Sequence, residues 1–105
     1  MKISIGCDEA AYELKEAIKK RLEETGHTYV DNGVEAGESA LYPDVAVKTC
    51  ERVTSGECDR GILVCGTGIG MAMTANKVPG IRAAVCHDPF STERSILSND
   101  GNVMC

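Results

Sequence analysis

The 105-residue sequence is poor in aromatic side chains, basic charge and long apolar runs. It contains three Tyr, one Phe and no Trp. Its longest apolar runs are a few residues, whereas a membrane-spanning helix needs about 20, so no membrane partner is expected. With 16 acidic against 11 basic residues the formal charge is −5, and a nucleic acid partner is not expected because no basic stripe would neutralise its phosphates. No secretory leader opens the chain, which predicts a cytoplasmic protein.

Six cysteines are many for this length, yet their spacing has no metal or disulfide signature. They stand at 7, 50, 58, 65, 86 and 105, with no Cys-x-x-Cys pair, so no metal site is expected. Most lie in apolar stretches, where Cys behaves as a small hydrophobic residue. We therefore expect a reduced protein with a single domain over 1–105.

Short apolar runs alternate with amphipathic segments along the chain. Strands are predicted at 2–6, 27–31, 61–65, 81–86 and 102–105, with a polar loop at 32–43. Helices are predicted at 10–25, after Asp44 as the N-cap up to Gly56, at 71–77, and from Asp88-Pro89 to about Ser98. The run 61–65 is apolar on both faces, as in a central parallel strand. This order predicts a three-layer α/β/α sandwich with a five-stranded parallel sheet, whose ligands bind beyond the carboxyl ends of the strands.

The most informative stretch is Cys-Gly-Thr-Gly-Ile-Gly at 65–70, between the third strand and a helix. It fits neither a Walker loop nor the dinucleotide fingerprint, because Lys-Ser/Thr and the last Gly are missing. A thiol at a helix N-terminus is a candidate base, and the amides of a glycine-rich turn can stabilise an oxyanion. The alternative interpretation is that Cys65 fills the strand end and the glycines only form a tight turn.

The segments 61–71 and 75–84 resemble the type B ribose-5-phosphate isomerases, a family that shares its fold with galactose-6-phosphate isomerase subunits. The resemblance extends over essentially the whole chain. Its further marks are Gly6-Cys7-Asp8 after the first strand, Tyr42-Pro43-Asp44, and Asn99-Asp100 before the last strand.

The resemblance implies a Rossmann-like fold and a homodimer with its sites at the subunit interface. It also implies interconversion of an aldose phosphate and a ketose phosphate, such as ribose 5-phosphate and ribulose 5-phosphate, without metal or cofactor. In this family the position of Cys65 holds the base. The implied anion hole is Gly66, Thr67, Gly68, Ile69 and Gly70, with the Thr67 hydroxyl assisting; Asp8 and Asn99 hold sugar hydroxyls, and Tyr42 lies near the site.

The sequence departs from the family pattern at three places. Glu9 and Ser98 stand where the family has histidines, and the second of these is the acid that opens the sugar ring. Serine cannot shuttle protons near neutral pH as imidazole does. Relatives also continue past the fifth strand into a helix with phosphate-binding arginines, which these 105 residues lack; its absence would leave one sheet face uncovered.

These departures leave alternatives open. His87 follows the fourth strand and is, with Ser98, a candidate replacement acid, although the residue pattern favours a surface loop histidine before a helix cap. Glu9 is a candidate substrate-binding residue in place of the missing histidine. A catalytically impaired sugar-phosphate-binding homologue is the alternative function, and a nucleotide binder is a weaker one. The charged run at 13–24 is interpreted as a solvated helix face with i,i+4 pairs.

Overall fold

A computed structural model describes residues 1–33 and 41–105 of the chain, which form five strands and four helices in alternation. The strands are β1 (Lys2–Cys7), β2 (Thr28–Asp31), β3 (Arg60–Val64), β4 (Ala83–Ala84) and β5 (Val103–Met104). The helices are α1 (Tyr12–Glu24), α2 (Tyr42–Thr54), α3 (Ile69–Ala75) and α4 (Pro89–Leu97), with a 3-10 turn at Glu9–Ala11 before α1. Most of the predicted loop at 32–43 lies outside the described residues.

All neighbouring strands in the sheet are parallel, in the order β2-β1-β3-β5-β4. The predicted five-stranded parallel sheet is confirmed, and β3 occupies its centre. Cys7 of β1 lies opposite Val64 of β3, and the Asp8 amide donates to the Val64 carbonyl at 3.1 Å. The residues that follow these two strands, Asp8 and Cys65, therefore emerge side by side at the carboxyl edge of the sheet.

Helices cover both faces of the sheet, which gives the predicted three layers. Helices α2 and α3 pack on one face around a buried cluster of Ala46, Cys50, Leu63, Met71, Ala75, Ile81 and Val103. Helix α1 packs on the other face against Cys7, Ala11 and Val64, and Thr92, Ser95 and Ile96 of α4 line a cavity on that face together with Ile62. Between α1 and α4 this second face is thinly covered, since Leu14 and Met104 are 55% and 39% exposed. None of the helices in residues 1–33 and 41–105 is long and apolar enough to cross a bilayer.

Several predicted boundaries were wrong by a few residues. Helix α2 begins at Tyr42, so Asp44 lies in its first turn and is not its N-cap; Leu41 holds that position without a side-chain bond. The reason is Pro43, whose fixed φ suits the first helical turn. Strand β4 is only Ala83–Ala84, because the Ile81 amide closes a turn onto the Val78 carbonyl. Helix α3 begins two residues earlier than predicted, at Ile69.

The interpretation of 13–24 as a solvated face was wrong at Lys15. Its side chain is 1% exposed, and its ammonium contacts the Asp31 carboxylate at 2.9 Å. Lys19 contacts the same carboxylate at 2.9 Å and pairs with Glu16 at i,i+3 spacing. Asp31 ends β2 beside α1, and this places an anion over a helix face that the sequence pattern assigns to water.

Candidate active site

Cys65 stands directly after the central strand, at the carboxyl edge of the sheet. Its side chain is partly exposed and packs at the margin of the α2–α3 core. The thiol sulfur accepts a hydrogen bond from the Gly68 amide at 3.0 Å. The thiol therefore lies within the glycine-rich turn and also at the margin of the core.

The backbone amides of the turn are partly occupied and partly available. The Ile69 amide donates to the Thr67 hydroxyl at 3.1 Å, and the Gly68 amide donates to Cys65. The amides of Gly66 and Thr67 donate to no acceptor in the part of the chain that the structure describes. Two N–H groups next to the thiol are thus available to an anionic oxygen, the arrangement that an oxyanion hole requires.

Gly68 is the residue that makes this turn possible. It has φ +78°, in the left-handed region that favours glycine, and it precedes the first residue of α3. A Cβ on Gly68 would lie 3.0 Å from the carbonyl carbon of Cys105. The turn therefore packs directly on the main chain that follows β5.

Asp8 lies next to Cys65 at the sheet edge but also caps the turn before α1. One carboxylate oxygen, Oδ1, accepts from the Ala11 amide at 3.0 Å. This bond fixes the side chain, and Oδ2 has no hydrogen-bond partner among residues 1–33 and 41–105. Glu9 begins the 3-10 turn and is exposed to solvent.

Tyr42 reaches the same region from the start of α2. A Cβ built on Gly70 would lie 2.9 Å from Cε1 and 3.1 Å from Cζ of the Tyr42 ring. The ring therefore rests on the first turn of α3, and Gly70 is needed there for space. The glycine in that first turn is the sequence signal for this close approach, which the sequence-based expectations for Tyr42 did not include.

A cavity of about 250 Å³ opens beside the thiol. Its wall includes Cys65, Gly66, Thr67 and Gly68 on one side and Cys86 and His87 on the other. Apolar side chains between α1 and β5 complete it. Its rim is formed by the residues that follow β3, β4 and β5.

Asn99 and Ser98 do not line this cavity. Asn99 lines a neighbouring cavity of about 590 Å³ beyond the β4 edge, together with Arg82, Arg94 and His87. Ser98 is the C-cap of α4, and its hydroxyl accepts from Arg94 at 3.4 Å. Within one chain, the structure thus brings together the residues at 65–68 and separates them from Asn99, with His87 lining both cavities.

The remaining ionisable groups near the thiol differ in their access to water. Burial raises the pKa of Cys50 to about 11 and that of Cys105 to about 12. Both thiols therefore stay protonated at neutral pH and act as hydrophobic side chains.

Among residues 1–33 and 41–105, no three His, Cys, Asp or Glu side chains are grouped so as to hold a metal ion.

Comparison with known proteins decides the family. The sequence profile of the ribose/galactose isomerases matches residues 3–105. The chain belongs to the ribose/galactose isomerase family. A ribose-5-P isomerase B of Listeria innocua is 53% identical over 104 residues, which span 99% of this chain and 70% of the relative. A D-erythrulose-4-phosphate isomerase 2 of Mycolicibacterium smegmatis is 46% identical over 108 residues, 100% of this chain and 71% of the relative.

Solved structures of ribose/galactose isomerases give the same fold. A ribose-5-phosphate isomerase B from Clostridium thermocellum superposes with a TM-score of 0.96 at 49% identity, covering 99% of this chain and 70% of that one. The Rossmann-like arrangement predicted from the resemblance is therefore confirmed. The relatives are sugar-phosphate isomerases that differ in substrate, so membership fixes the class of reaction and leaves the sugar open.

Proposed function

We propose that this chain interconverts an aldose phosphate and a ketose phosphate, with ribose 5-phosphate and ribulose 5-phosphate as the substrate pair. The observation that carries the proposal is the partly exposed Cys65 thiol beside the two available amides of Gly66 and Thr67. Proton abstraction next to a carbonyl needs a base and a group that stabilises the developing oxyanion. Both stand on one wall of the same cavity.

In the proposed reaction, the sulfur of Cys65 removes the proton from C2 of the open-chain aldose phosphate. The resulting enediolate oxygen accepts from the amides of Gly66 and Thr67. The same sulfur then returns the proton to C1, and a proton moves from the C2 hydroxyl to O1 to complete the ketose. Asp8 accepts a sugar hydroxyl at its unused carboxylate oxygen, next to the base.

The choice of a pentose phosphate is supported by the relatives. The relative from Listeria innocua is named for ribose 5-phosphate and the one from Mycolicibacterium smegmatis for erythrulose 4-phosphate. Both sugars carry a terminal phosphate, and the chemistry at C1 and C2 is the same for each. An isomerase assay over tetrose, pentose and hexose phosphates discriminates between them.

Removal of the thiol tests the proposal directly. Cys65→Ala is expected to lower kcat by about 100-fold or more, the range that a positioned base contributes. Cys86→Ala is the matched control, since Cys86 is a partly buried thiol of the same cavity and has no assigned role. Thermal unfolding of both variants checks the fold. Wild-type turnover that survives in Cys65→Ala removes the sulfur from the mechanism, and a wild-type protein without turnover favours the non-catalytic binding homologue.

The proposal includes a homodimer whose site takes residues from both copies. It is supported by the separation of Cys65 and Asn99 into two cavities of one chain. A second copy provides a way for both side chains to contact one sugar phosphate. Mixed dimers of Cys65→Ala with Asn99→Ala are then expected to regain activity, because one of their two sites is intact. Sedimentation of a monomer, or mixed dimers as inactive as their parents, contradicts a shared site.

A further inference from the structure

We propose that His87, oriented by Asp88, is the proton donor that opens the ring of a cyclic aldose phosphate in this cavity. The inference rests on the proposed isomerase function and adds to it the step that precedes proton abstraction. A pentose phosphate exists mainly as a ring, whereas a base next to a carbonyl acts on the open chain. Opening the ring needs a proton at the ring oxygen, so the site needs an acid beside the thiol.

His87 has the position that such an acid requires. It follows β4 at the carboxyl edge of the sheet and lines both the cavity of Cys65 and the cavity of Asn99. Strands β3 and β4 are two strand spacings apart, roughly 10 Å, and Cys65 and His87, which follow them, line one cavity at the carboxyl edge of the sheet. The imidazole is 71% exposed, so a ligand in the cavity has access to it.

Asp88 holds the imidazole in one orientation. His87 Nε2 lies 2.9 Å from Asp88 Oδ2. The carboxylate is itself fixed as the N-cap of α4, because it accepts from the Ser91 amide at 2.7 Å and the Ser91 hydroxyl at 2.9 Å. These hydrogen bonds, led by that of the Ser91 amide, hold the pKa of Asp88 below its usual value. The carboxylate therefore accepts from Nε2, and Nδ1 has no partner in residues 1–33 and 41–105.

No other described side chain that lines the Cys65 cavity is as well suited to donate a proton to the ring oxygen. Its remaining ionisable groups in the described part of the chain are the thiols of Cys65, Cys86 and Cys105. Cys65 is assigned to the base, and Cys105 is kept protonated by burial, which raises its pKa to about 12. An imidazole held by a fixed carboxylate is the arrangement that proton-transfer sites use to orient a histidine.

Ring opening by His87 conserves protons and electron pairs. The imidazolium of His87 donates its Nδ1 proton to the ring oxygen. The bond between that oxygen and C1 breaks, and its electron pair goes to the oxygen, which becomes a hydroxyl. The C1 hydroxyl proton passes to solvent water as the C1 carbonyl forms, and the neutral imidazole regains a proton from solvent. The open-chain aldehyde is then the substrate of Cys65.

Activities measured on two substrates distinguish a loss of ring opening from a loss of isomerisation. Ribose 5-phosphate closes its ring through the C4 hydroxyl, whereas erythrose 4-phosphate carries its phosphate on that oxygen and cannot form this ring. His87→Gln is therefore expected to lower kcat/KM for ribose 5-phosphate, relative to erythrose 4-phosphate, by about 100-fold, the lower end of what a positioned acid contributes. His27→Gln, a change at the other histidine, is the control and is expected to leave the ratio unchanged.

Asp88→Asn tests the positioning role, because asparagine also caps helices well but does not hold an imidazolium as a carboxylate does. It is expected to change the same substrate ratio in the same direction. An equal loss on both substrates in His87→Gln, or wild-type turnover of erythrose 4-phosphate alone, overturns the ring-opening role. A wild-type protein that isomerises neither sugar overturns the isomerase function itself. Thermal unfolding of each variant shows that the fold is retained.

Discussion

Asp31 and the two lysines that contact it, Lys15 and Lys19, form an ion cluster that allows a prediction of the free energy of unfolding. The carboxylate accepts from Lys15 and Lys19 at 2.9 Å each, and from the Gly33 amide at 2.9 Å. Lys15 is 1% exposed and Asp31 is 20% exposed. Asp31→Asn removes the carboxylate that lies 2.9 Å from the buried ammonium of Lys15, whereas the Glu16 carboxylate, the other anion described near that ammonium, is 3.9 Å away. Lys15→Met instead leaves Asp31 with two donors, in a volume close to the original.

The two substitutions are therefore expected to differ in cost. Removing one partner of a buried pair costs about 3–5 kcal/mol, and the partial exposure of Asp31 places Asp31→Asn near 3 kcal/mol. In a domain of this size that corresponds to a fall in Tm of roughly 15 °C. Lys15→Met is expected to cost about 1 kcal/mol, the value of a typical hydrogen bond.

Urea unfolding at pH 7 measures both free energies. Asp59→Asn is the matched control, because Asp59 is exposed and accepts from the Lys2 amide at the surface. It is expected to change the free energy of unfolding by less than about 1 kcal/mol. Equal losses in Asp31→Asn and Lys15→Met, or a stabilised Asp31→Asn, would refute the reasoning.

The same cluster predicts a dependence on acid. Burial raises the pKa of Asp31, but the hydrogen bonds from Lys19, Lys15 and the Gly33 amide outweigh burial and leave that pKa below its usual value. A carboxyl group whose pKa is lowered in the folded state adds stability above its unfolded pKa, and that stability is lost as the pH falls through the folded pKa. The stability difference between wild type and Asp31→Asn is therefore expected to shrink as the pH falls below the ordinary carboxyl range.

Two further predictions concern Gly70 and Thr49. Gly70→Ala forces the Tyr42 ring off the first turn of α3, so KM for the sugar phosphate is expected to rise while Tm changes little, because alanine favours the helix by up to about 1 kcal/mol. Tyr42→Phe keeps the ring and is the control. The Thr49 hydroxyl is buried with no partner among the described residues, so Thr49→Val is expected to raise stability by about 1 kcal/mol in urea unfolding. A destabilised Thr49→Val contradicts this assignment.

The sheet and the place of Cys65 could be read from the sequence because both depend on local pattern. The doubly apolar run at 61–65 predicts a central strand, and a parallel central strand ends at the ligand edge of its sheet. The glycines at 66, 68 and 70 then mark the turn, and the structure places an open amide at Gly66, the left-handed residue at Gly68 and the Tyr42 contact at Gly70.

What the sequence did not reveal depends on contacts between distant segments. Lys15 looks like one of several surface lysines, and only the β1–β2 register brings Asp31 over it. The separation of Asn99 from Cys65 likewise follows from the parallel sheet, because Asn99 precedes β5 whereas Cys65 follows β3, which places them toward opposite edges of the sheet. Fewer of the site residues implied by the resemblance therefore lie together within one chain than the sequence motifs predict.

The strand order also constrains how the chain acquires its structure during synthesis. Strand β5 leaves the ribosome after every other strand described, yet its place is in the interior of the sheet, between β3 and β4. Until it arrives, β4 has no hydrogen-bonding neighbour in the described sheet, and Gly68 lacks the main chain of Cys105 on which it rests. The link between β3 and β4 through β5, and the contact of the thiol-bearing turn with Cys105, therefore form only after residues 103–105 have been synthesised.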